Sequence, residues 1–365
     1  MTKDPVCGME IDERQARHKF SYMGKPYYFC SRECREAFSV GPDKYLAQSP
    51  IETRTSRKIV VVGTGQVGAT FAFALMTTGM ASEIVLIDSN RAIAEGHAMD
   101  MNHGMPFVQP TKINPGTYED CQGADIVVIT AGAAQKPGET RLDLVRKNTE
   151  IFKNIIPEIV RQDPGILLIV SNPVDILTYV ALRISGFSMN RVLGSGTVLD
   201  TARFRYLLSR HCGVDARNVQ AFVAGEHGDT EVPVWSQVNI AGMNFDQYCA
   251  MSGLACQKED QQLLFNQVKQ AAYEIINRKG YTNHAIALGL IQILSSILRG
   301  ENSVLTVSSL IDGYYDTGDV CMSLPAVLNQ NGIQRQLFME LSDEEISLFR
   351  HSAKTLKEVI AQIDI

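Results

Sequence analysis

The sequence contains no apolar run long enough to cross a bilayer. Stretches such as Ile166–Val170 stop after a handful of residues, against the roughly 20 that a helical span requires, so a membrane protein is not expected. An excess of one charge is equally lacking: 34 Lys and Arg stand against 40 Asp and Glu, a formal net charge of -6, which gives nucleic acid no electrostatic footprint. The opening Met1-Thr-Lys-Asp-Pro-Val-Cys-Gly-Met9 lacks the apolar stretch of a secretory signal. A cytoplasmic setting is therefore expected, and the eight cysteines are expected to stay reduced there. No long-period repeat is present. With 45% hydrophobic and 20% charged residues in 365, the chain reads as globular and long enough for two or three domains.

The cysteines are unevenly spread. Cys7, Cys30 and Cys34 crowd a short leading segment, whereas Cys121, Cys212, Cys249, Cys256 and Cys321 are scattered singly. Between the two regions, Ala47-Gln-Ser-Pro-Ile-Glu-Thr-Arg-Thr-Ser-Arg57 is polar, contains proline and has no apolar period, so it reads as a linker. The expected organisation is a module at 1–46, a linker at 47–57, a dinucleotide-binding domain at 58–195 and a second domain at 196–365.

Ile59-Val-Val-Val62 has the β-branched, fully apolar character of a buried parallel strand. It runs into Gly63-Thr-Gly-Gln-Val-Gly68, then a helical stretch from Ala69 to Thr78, then a second strand, Glu83–Ile87, that ends at Asp88. This order of strand, glycine turn, helix, strand and acid is the dinucleotide fingerprint. Gly63 allows the tight turn, Gly65 lets backbone approach the pyrophosphate, and Gly68 lets the helix pack on the strand. Gln66 and Val67 of this turn are counted with the cofactor-binding residues, and the N-terminus of the helix that follows faces the phosphates with its free N–H groups. Asp88 is placed to accept from ribose hydroxyls and to repel a 2′-phosphate, which selects NAD over NADP. A further strand, Asp125–Thr130, meets Ala131 and Gly132, and Ile166–Val170 ends at Ser171-Asn172-Pro173. In a parallel sheet these loops gather at one end, with Thr130, Ala131, Gly132 and Asn172 beside the ligand.

Three further segments carry reactive side chains. Gly225-Glu-His-Gly-Asp229 sets His227 between glycines after Phe222-Val-Ala, although a solitary histidine is usually structural. Leu199-Asp-Thr-Ala-Arg-Phe-Arg205 places Asp200 and Arg203 on one helical face; spacing alone favours a plain surface ion pair. Gln135-Lys-Pro-Gly-Glu-Thr-Arg141 is a polar loop able either to close over a ligand or to remain a solvated turn.

Taken in order, these motifs, with Ser171-Asn-Pro-Val-Asp175, resemble the lactate/malate dehydrogenase family from Lys58 to the C-terminus. The resemblance implies an α/β fold: a doubly wound parallel (Rossmann) sheet followed by an α+β substrate domain. It implies reversible hydride transfer between NADH and pyruvate to give L-lactate, in a homotetramer. His227 is similar to the family's acid/base, Asp200 to its orienting partner, Arg203 to the carboxylate clamp and Arg141 to the carbonyl-polarising residue. Asn172 resembles the residue between nicotinamide and substrate, and Thr282 and Ile286 resemble the pocket wall. Where malate dehydrogenases have Arg to pair with a second carboxylate, this chain has Gln135, which disfavours a buried second anion. The alternatives are a malate dehydrogenase, or a metal-responsive NAD-binding protein without turnover. Relatives activated by fructose 1,6-bisphosphate bind it through an Arg and a His; Arg205 matches the first, but Gln220 stands in place of the second. His97, His103, His211, His284 and His351 read as packing or surface residues. The segment from Ser342, with Glu345 three residues on, reads as a capped helix without chemistry.

In the leading segment, Asp4-Pro-Val-Cys-Gly-Met9, Tyr27-Tyr-Phe-Cys-Ser-Arg-Glu-Cys34, Phe38 and Pro42-Asp-Lys-Tyr45 resemble the YHS domain, a module associated with heavy metals. Cys7, Cys30 and Cys34 suit zinc or copper but are one ligand short of a closed zinc site. His18, a water or a partner's group would complete it. Aromatic packing with free thiols is the alternative.

Overall fold

The computed structural model describes residues 2–13, 16–22, 25–45, 57–133, 138 and 140–364. Two compact units are present, Met1–Thr55 and Ser56–Ile365. Apart from Arg57, the expected linker lies outside the described residues.

In the leading unit, β1 (Thr2–Lys3) pairs antiparallel with β2 (Glu10–Ile11), and β3 (His18–Tyr22) with β4 (Lys25–Phe29). Helix α1 (Arg32–Val40) follows, its first turn capped by the Ser31 hydroxyl, which accepts from the Cys34 amide at 3.3 Å. The core centres on Phe38, which is buried together with Phe29 and has the rings of Phe20, Tyr22, Tyr27, Phe29 and Tyr45 within 5.0 to 6.3 Å. At about 0.5–1.5 kcal/mol per aromatic pair, this cluster is the unit's main apolar support.

Among the described residues the second unit is built on a nine-stranded sheet in the order β18 (Gly332–Gln336), β17 (Thr317–Asn329), β16 (Ser303–Tyr314), β10 (Val192–Gly194), β9 (Ile166–Ile169), β8 (Ile126–Ile129), β5 (Lys58–Val62), β6 (Glu83–Ile87) and β7 (Lys112–Pro115). Its parallel half comprises β5 (Lys58–Val62), β6 (Glu83–Ile87), β7 (Lys112–Pro115), β8 (Ile126–Ile129), β9 (Ile166–Ile169) and β10 (Val192–Gly194). The strand order reverses around β5 and β8, which makes the crevice past their C-terminal ends the natural ligand site. Successive residues of β5 serve opposite faces. Val60 and Val62 join a core with Phe152 and Ile156, while Ile59 and Val61 join one with Phe71 and Leu75. The helices that cover these faces include α2 (Gln66–Thr78), α3 (Arg91–His103), α4 (Arg141–Val160) and α5 (Val174–Ser185).

After β10 come α6 (Val198–Cys212) and short strands that pair antiparallel: β11 (Val219–Gln220) with β14 (Asn239–Ile240), and β14 with β15 (Met243–Asn244). β12 (Val223–Ala224) pairs with β13 (Val232–Pro233), so Gly225–Asp229 lies in the turn between two buried strands. Helices α7 (Phe245–Ser252), α8 (Lys258–Lys279) and α9 (His284–Leu298) lead to the antiparallel strands β16 (Ser303–Tyr314), β17 (Thr317–Asn329) and β18 (Gly332–Gln336). Gly194 of β10 registers with Ser308 of β16, which joins this meander to the parallel half without a break. Helix α10 (Asp343–Ile360) starts at a reciprocal capping box of Ser342 and Glu345, as the sequence implies.

One expectation is overturned. Cys249 and Cys256 are joined in a disulfide. The left-handed Gly253 ends α7 and turns the chain back, bringing the two Cα atoms to 6.2 Å, within disulfide reach. Among the described residues no helix is long and apolar enough to cross a membrane.

Candidate active site

The glycine turn after β5 has the shape its sequence demands. Gly63 is at φ +94°, and a Cβ there would come within 2.5 Å of the Ala131 nitrogen; one at Gly68 would meet the Gly63 carbonyl at 2.0 Å. Both glycines are therefore fixed by close packing. At Gly65 a Cβ would meet nothing within 4 Å, which leaves an open cradle ahead of α2, whose first residues are Gln66 and Val67. No side chain caps this helix, so its first N–H groups are free for an anion. Asp88 closes the turn by accepting from the Thr64 amide at 2.7 Å, the Thr64 hydroxyl at 2.9 Å and the Asn90 amide at 2.9 Å. Burial opposes its charge, but these donors outweigh burial and hold the carboxyl below its usual range.

The strand ends beyond β8 and β9 are tied together. The Thr130 hydroxyl donates to the Gly63 carbonyl at 2.5 Å, and the Ser171 hydroxyl to the Ala131 carbonyl at 2.5 Å. Asn148, buried on α4, accepts from the Ala133 amide at 2.8 Å and donates to the Asn172 carbonyl at 2.7 Å. It fixes the spacing of the loops that follow β8 and β9. Gly132 packs against both Ser171 and Asn148.

The polar cluster centres on Asp200, in the first turn of α6. Its Oδ2 lies 2.5 Å from His227 Nδ1, and its Oδ1 accepts from Arg203 at 3.0 Å. Asp200 is buried, Arg203 mostly so, and His227 keeps about a quarter of its side chain exposed at 27%. The expected plain surface ion pair is thus absent: Asp200 and Arg203 do meet, but under cover and with the imidazole attached. His227 is held at its backbone as well. Its amide donates to Asp175 Oδ2 at 2.7 Å, while the Ser308 hydroxyl donates to Asp175 Oδ1 at 2.5 Å.

Arg141 opens α4 instead of lying in the preceding loop. The Thr140–Asp143 capping box starts the helix there. Its guanidinium pairs with buried Glu226 and lies 3.9 Å from Asp229, both neighbours of His227 in the β12–β13 turn. Glu226 also accepts from the Thr230 hydroxyl. Arg141 at the start of α4, and Asp200 and Arg203 at the start of α6, are thereby brought to the one hairpin that carries His227.

The charges shape one another. Burial would push the His227 pKa down, yet the charge and hydrogen bond of Asp200, with Asp175 and Glu231 nearby, raise it to about 9. Burial would raise Asp200, but His227 and Arg203 outweigh it and keep the carboxyl below its ordinary value. Burial dominates at Asp175, which is raised. It also dominates at Glu231, where the charge of Asp200 adds to it and the carboxyl rises to about 8.

Thr282 is half-buried two residues ahead of α9, and Ile286, in the first turn of that helix, packs with Val67 against the same core. The Asn283 side chain donates to Thr70 on α2 at 2.8 Å, which docks this wall against the dinucleotide helix. Gln135 lies outside the described residues. Arg205 donates to the Ala221 carbonyl at 3.0 Å with its guanidinium over the Phe222 ring, while Gln220 is exposed. Sequence reasoning missed Asn148, Asp175, Glu226 and Glu231. Three of these are acids inside or next to the recognised motifs, a usable signal; Asn148 gave only a polar residue on an otherwise core-facing helical stripe.

In the leading unit, one ligand atom each from Asp4, Cys7, Cys30 and Cys34 lies within 4.8 Å of the others. The Cys7 and Cys30 sulfurs are 3.5 Å apart, and those of Cys30 and Cys34 3.8 Å. Sulfurs bound tetrahedrally to zinc at about 2.3 Å sit about 3.8 Å apart, so the spacing suits a metal. The fourth group of this cluster is Asp4; His18 is not in it. Asp4 is buried and accepts from the Val6 and Cys30 amides, each at 2.8 Å, which binds the two cysteine-bearing segments together.

Comparison with known proteins bears on the whole chain. Residues 57–194 match the profile of the lactate/malate dehydrogenase NAD binding domain, residues 197–364 that of the lactate/malate dehydrogenase alpha/beta C-terminal domain, and residues 2–49 the YHS domain. The chain is 57% identical over 310 residues to an L-lactate dehydrogenase of Acetivibrio thermocellus, covering 85% of this chain and 98% of that protein. It is 51% identical over 311 residues to L-lactate dehydrogenase 1 of Clostridium acetobutylicum, covering 85% and 99%. Among solved structures it is similar to the minor L-lactate dehydrogenase from Enterococcus mundtii in a ligands-bound form. There the TM-score is 0.82 at 40% identity, over 86% of this chain and 100% of that one.

Proposed function

Because this chain belongs to the lactate/malate dehydrogenase family, we propose that it is an L-lactate dehydrogenase that interconverts pyruvate and L-lactate with NADH and NAD, using His227 as acid/base. The observation that carries this reading is the buried Asp200, which joins an imidazole on one oxygen and a guanidinium on the other, with Arg141 paired to Glu226 in the same hairpin as that imidazole.

The open cradle at Gly65, the uncapped start of α2 and the ionised Asp88 fit a dinucleotide without a 2′-phosphate. Gly63, Gly65, Gln66, Val67, Gly68 and Asp88 would hold its adenosine and pyrophosphate half, and Thr130, Ala131, Gly132, Asn172 and Ile286 its nicotinamide half. When bound, the cofactor supplies or takes the hydride. Arg203 grips the substrate carboxylate through two parallel hydrogen bonds. Arg141 donates to the ketone oxygen and favours the charge that develops on it. With Nδ1 turned to Asp200, His227 presents Nε2 to that oxygen and delivers its proton; in the oxidation direction the same atom removes it. Asp200 stays ionised and stabilises the imidazolium. Thr282 borders the substrate, and Gln135 leaves no counter-charge for a second carboxylate, which selects pyruvate over oxaloacetate.

The Asp4, Cys7, Cys30 and Cys34 cluster would hold zinc or copper(I), with three thiolates as the principal ligands. A homotetramer in the cytoplasm completes the reading. Apolar side chains left exposed on α2, α3 and α9, including Phe73, Met99 and Leu288, support self-association. The deciding experiment follows NADH loss with pyruvate and with oxaloacetate, for the native chain and for His227→Ala. Turnover of pyruvate that is fast in the first and nearly lost in the second is expected; turnover favouring oxaloacetate, or unaffected by the substitution, overturns the reading.

A further inference from the structure

We propose that the Cys249–Cys256 disulfide is a thiol-exchange site, opened by dithiols through attack on Cys256 and coupled through α8 to the loop that carries His227. The two sulfurs differ in access. Cys249 is buried within α7, in an apolar cluster with Phe204, Phe245 and Phe265. Cys256, two residues before α8, is only partly covered. A cleft of about 400 Å³ between α6 and α8, lined by Leu207, Arg210, His211, Asp260 and Leu263 among others, reaches this cysteine through His211. His211, in the last turn of α6, points Nε2 at Cys256 Sγ from 3.6 Å. An accessible sulfur beside an imidazole, at the edge of an open cleft, is the arrangement thiol–disulfide exchange needs.

The exchange balances with a dithiol as the two-electron donor. Its first thiolate attacks Cys256 Sγ, the bond to Cys249 breaks, and Cys249 leaves as a thiolate that takes a proton from solvent. The second thiolate of the reductant then attacks the reductant's own sulfur in the mixed disulfide. That closes a cyclic disulfide and releases Cys256, to which His211 hands a proton. The protein gains two electrons and two protons, and the dithiol loses them.

Opening has a route to the reaction centre. The disulfide fixes the chain just ahead of α8, and further along α8 Lys269 donates to the Asp229 carbonyl at 2.9 Å while Tyr273 donates to the Asp229 carboxylate at 3.4 Å. Asp229 is two residues from His227 and 3.9 Å from Arg141. A looser α8 start therefore slackens the grip on the turn that positions both. Trp235, the single tryptophan of the chain, packs 5.4 Å from Phe245, the first residue of the helix that carries Cys249, and so reports on the same region.

The test uses the full chain, equilibrated in air and treated with dithiothreitol in native buffer. Alkylation followed by peptide mass analysis should find Cys249 and Cys256 protected before treatment and labelled after it. Trp235 emission should shift on reduction and return on reoxidation, and kcat/KM for pyruvate should fall with the same time course. His211→Phe should slow release of Cys256 from the mixed disulfide by about tenfold, since the departing sulfur loses its proton donor. Cys256→Ser should abolish the emission response. The proposal is overturned if the pair is labelled without reductant, if it stays protected through prolonged treatment, or if it opens while Trp235 emission and kcat/KM stay fixed. Labelling and emission do not depend on catalysis, so they stand apart from failure of the dehydrogenase reading.

Discussion

Asp200 Oδ2 and His227 Nδ1 face each other at 2.5 Å across 27 residues of chain, one at the start of a helix and the other in a hairpin turn. The contact occupies Nδ1, which leaves Nε2 for the proposed proton transfer, and it moves the titration of His227. Burial lowers that pKa, but Asp200 first, then Asp175 and Glu231, raise it to about 9. A raised value means the proton-donating form persists to that pH and is lost above it. In the direction of pyruvate reduction, kcat/KM should hold level through neutrality and decline above about pH 9, whereas lactate oxidation should rise over the same interval. Asp200→Asn removes the largest raising influence, so both limbs should move down toward the ordinary imidazole range. Profiles of the two enzymes from about pH 6 to 10 decide this; superimposable limbs would disprove the assignment.

For His227→Ala the expected loss of turnover is on the order of 10²-fold or more, the usual scale for a general acid/base. NADH affinity should be unchanged, because no cradle residue is touched. Stopped-flow hydride transfer together with NADH titration separates the two effects.

Most of the fold was legible because its signals are local. The apolar run of β5, the spacing of Gly63, Gly65 and Gly68, and Asp88 each need only a short window, and the structure fills them as read. The residues of the proposed catalytic set were legible as motifs. What the sequence withheld was pairing across distance. Nothing near Arg141 announces Glu226 as its partner, and nothing near Cys249 announces that the turn at Gly253 will bring Cys256 back to it. The leading cluster teaches the same lesson. Asp4 was noticed only as part of a motif, yet its carboxylate, accepting from the Cys30 amide, joins segments 26 residues apart.

Glu226 should act as a positioning residue for Arg141. In Glu226→Gln the side chain keeps its shape and its bond from Thr230, but the guanidinium loses a buried counter-charge. A fall in kcat of roughly tenfold to a hundredfold is expected, with a smaller change in KM, since Arg203 and not Arg141 holds the carboxylate. A KM effect without a kcat effect would reassign Arg141 to substrate binding.

Gln135→Arg should shift preference from pyruvate toward oxaloacetate by supplying the missing counter-charge. The ratio of kcat/KM for the two substrates is the measurement, and a ratio that does not move refutes the specificity role of this position.

Activation by fructose 1,6-bisphosphate should be weak or absent. Arg205 is drawn inward, its Nε donating to the Ala221 carbonyl, and burial lowers its pKa; Gln220 adds a neutral amide where a histidine would add charge. Gln220→His should therefore gain sensitivity, seen as a leftward move of the pyruvate saturation curve on adding the effector. A strong response in the native chain would contradict the argument.

The leading module should bind about one metal per chain and contribute nothing to turnover. The Cys7, Cys30 and Cys34 sulfurs already stand near tetrahedral spacing, and thiolates favour zinc or copper(I) over calcium or magnesium. Every residue assigned to the reaction lies in the unit Ser56–Ile365. Cys30→Ser should therefore lose the metal, because Cys30 is the sulfur shared by both short contacts, while pyruvate turnover stays within about twofold of the native chain, as expected for a change outside the reaction centre. Asp4→Asn tests the fourth position separately: it keeps acceptor capacity for the Cys30 amide through its carbonyl oxygen but removes a charged ligand, so metal affinity should drop with the fold intact. Elemental analysis of the three proteins, with thiol titration before and after a chelator, gives the stoichiometry. A native chain that carries no metal after zinc or copper(I) loading would leave the aromatic cluster around Phe38 as the module's sole support, and loss of turnover on chelation would put the metal in the catalytic cycle, against the prediction.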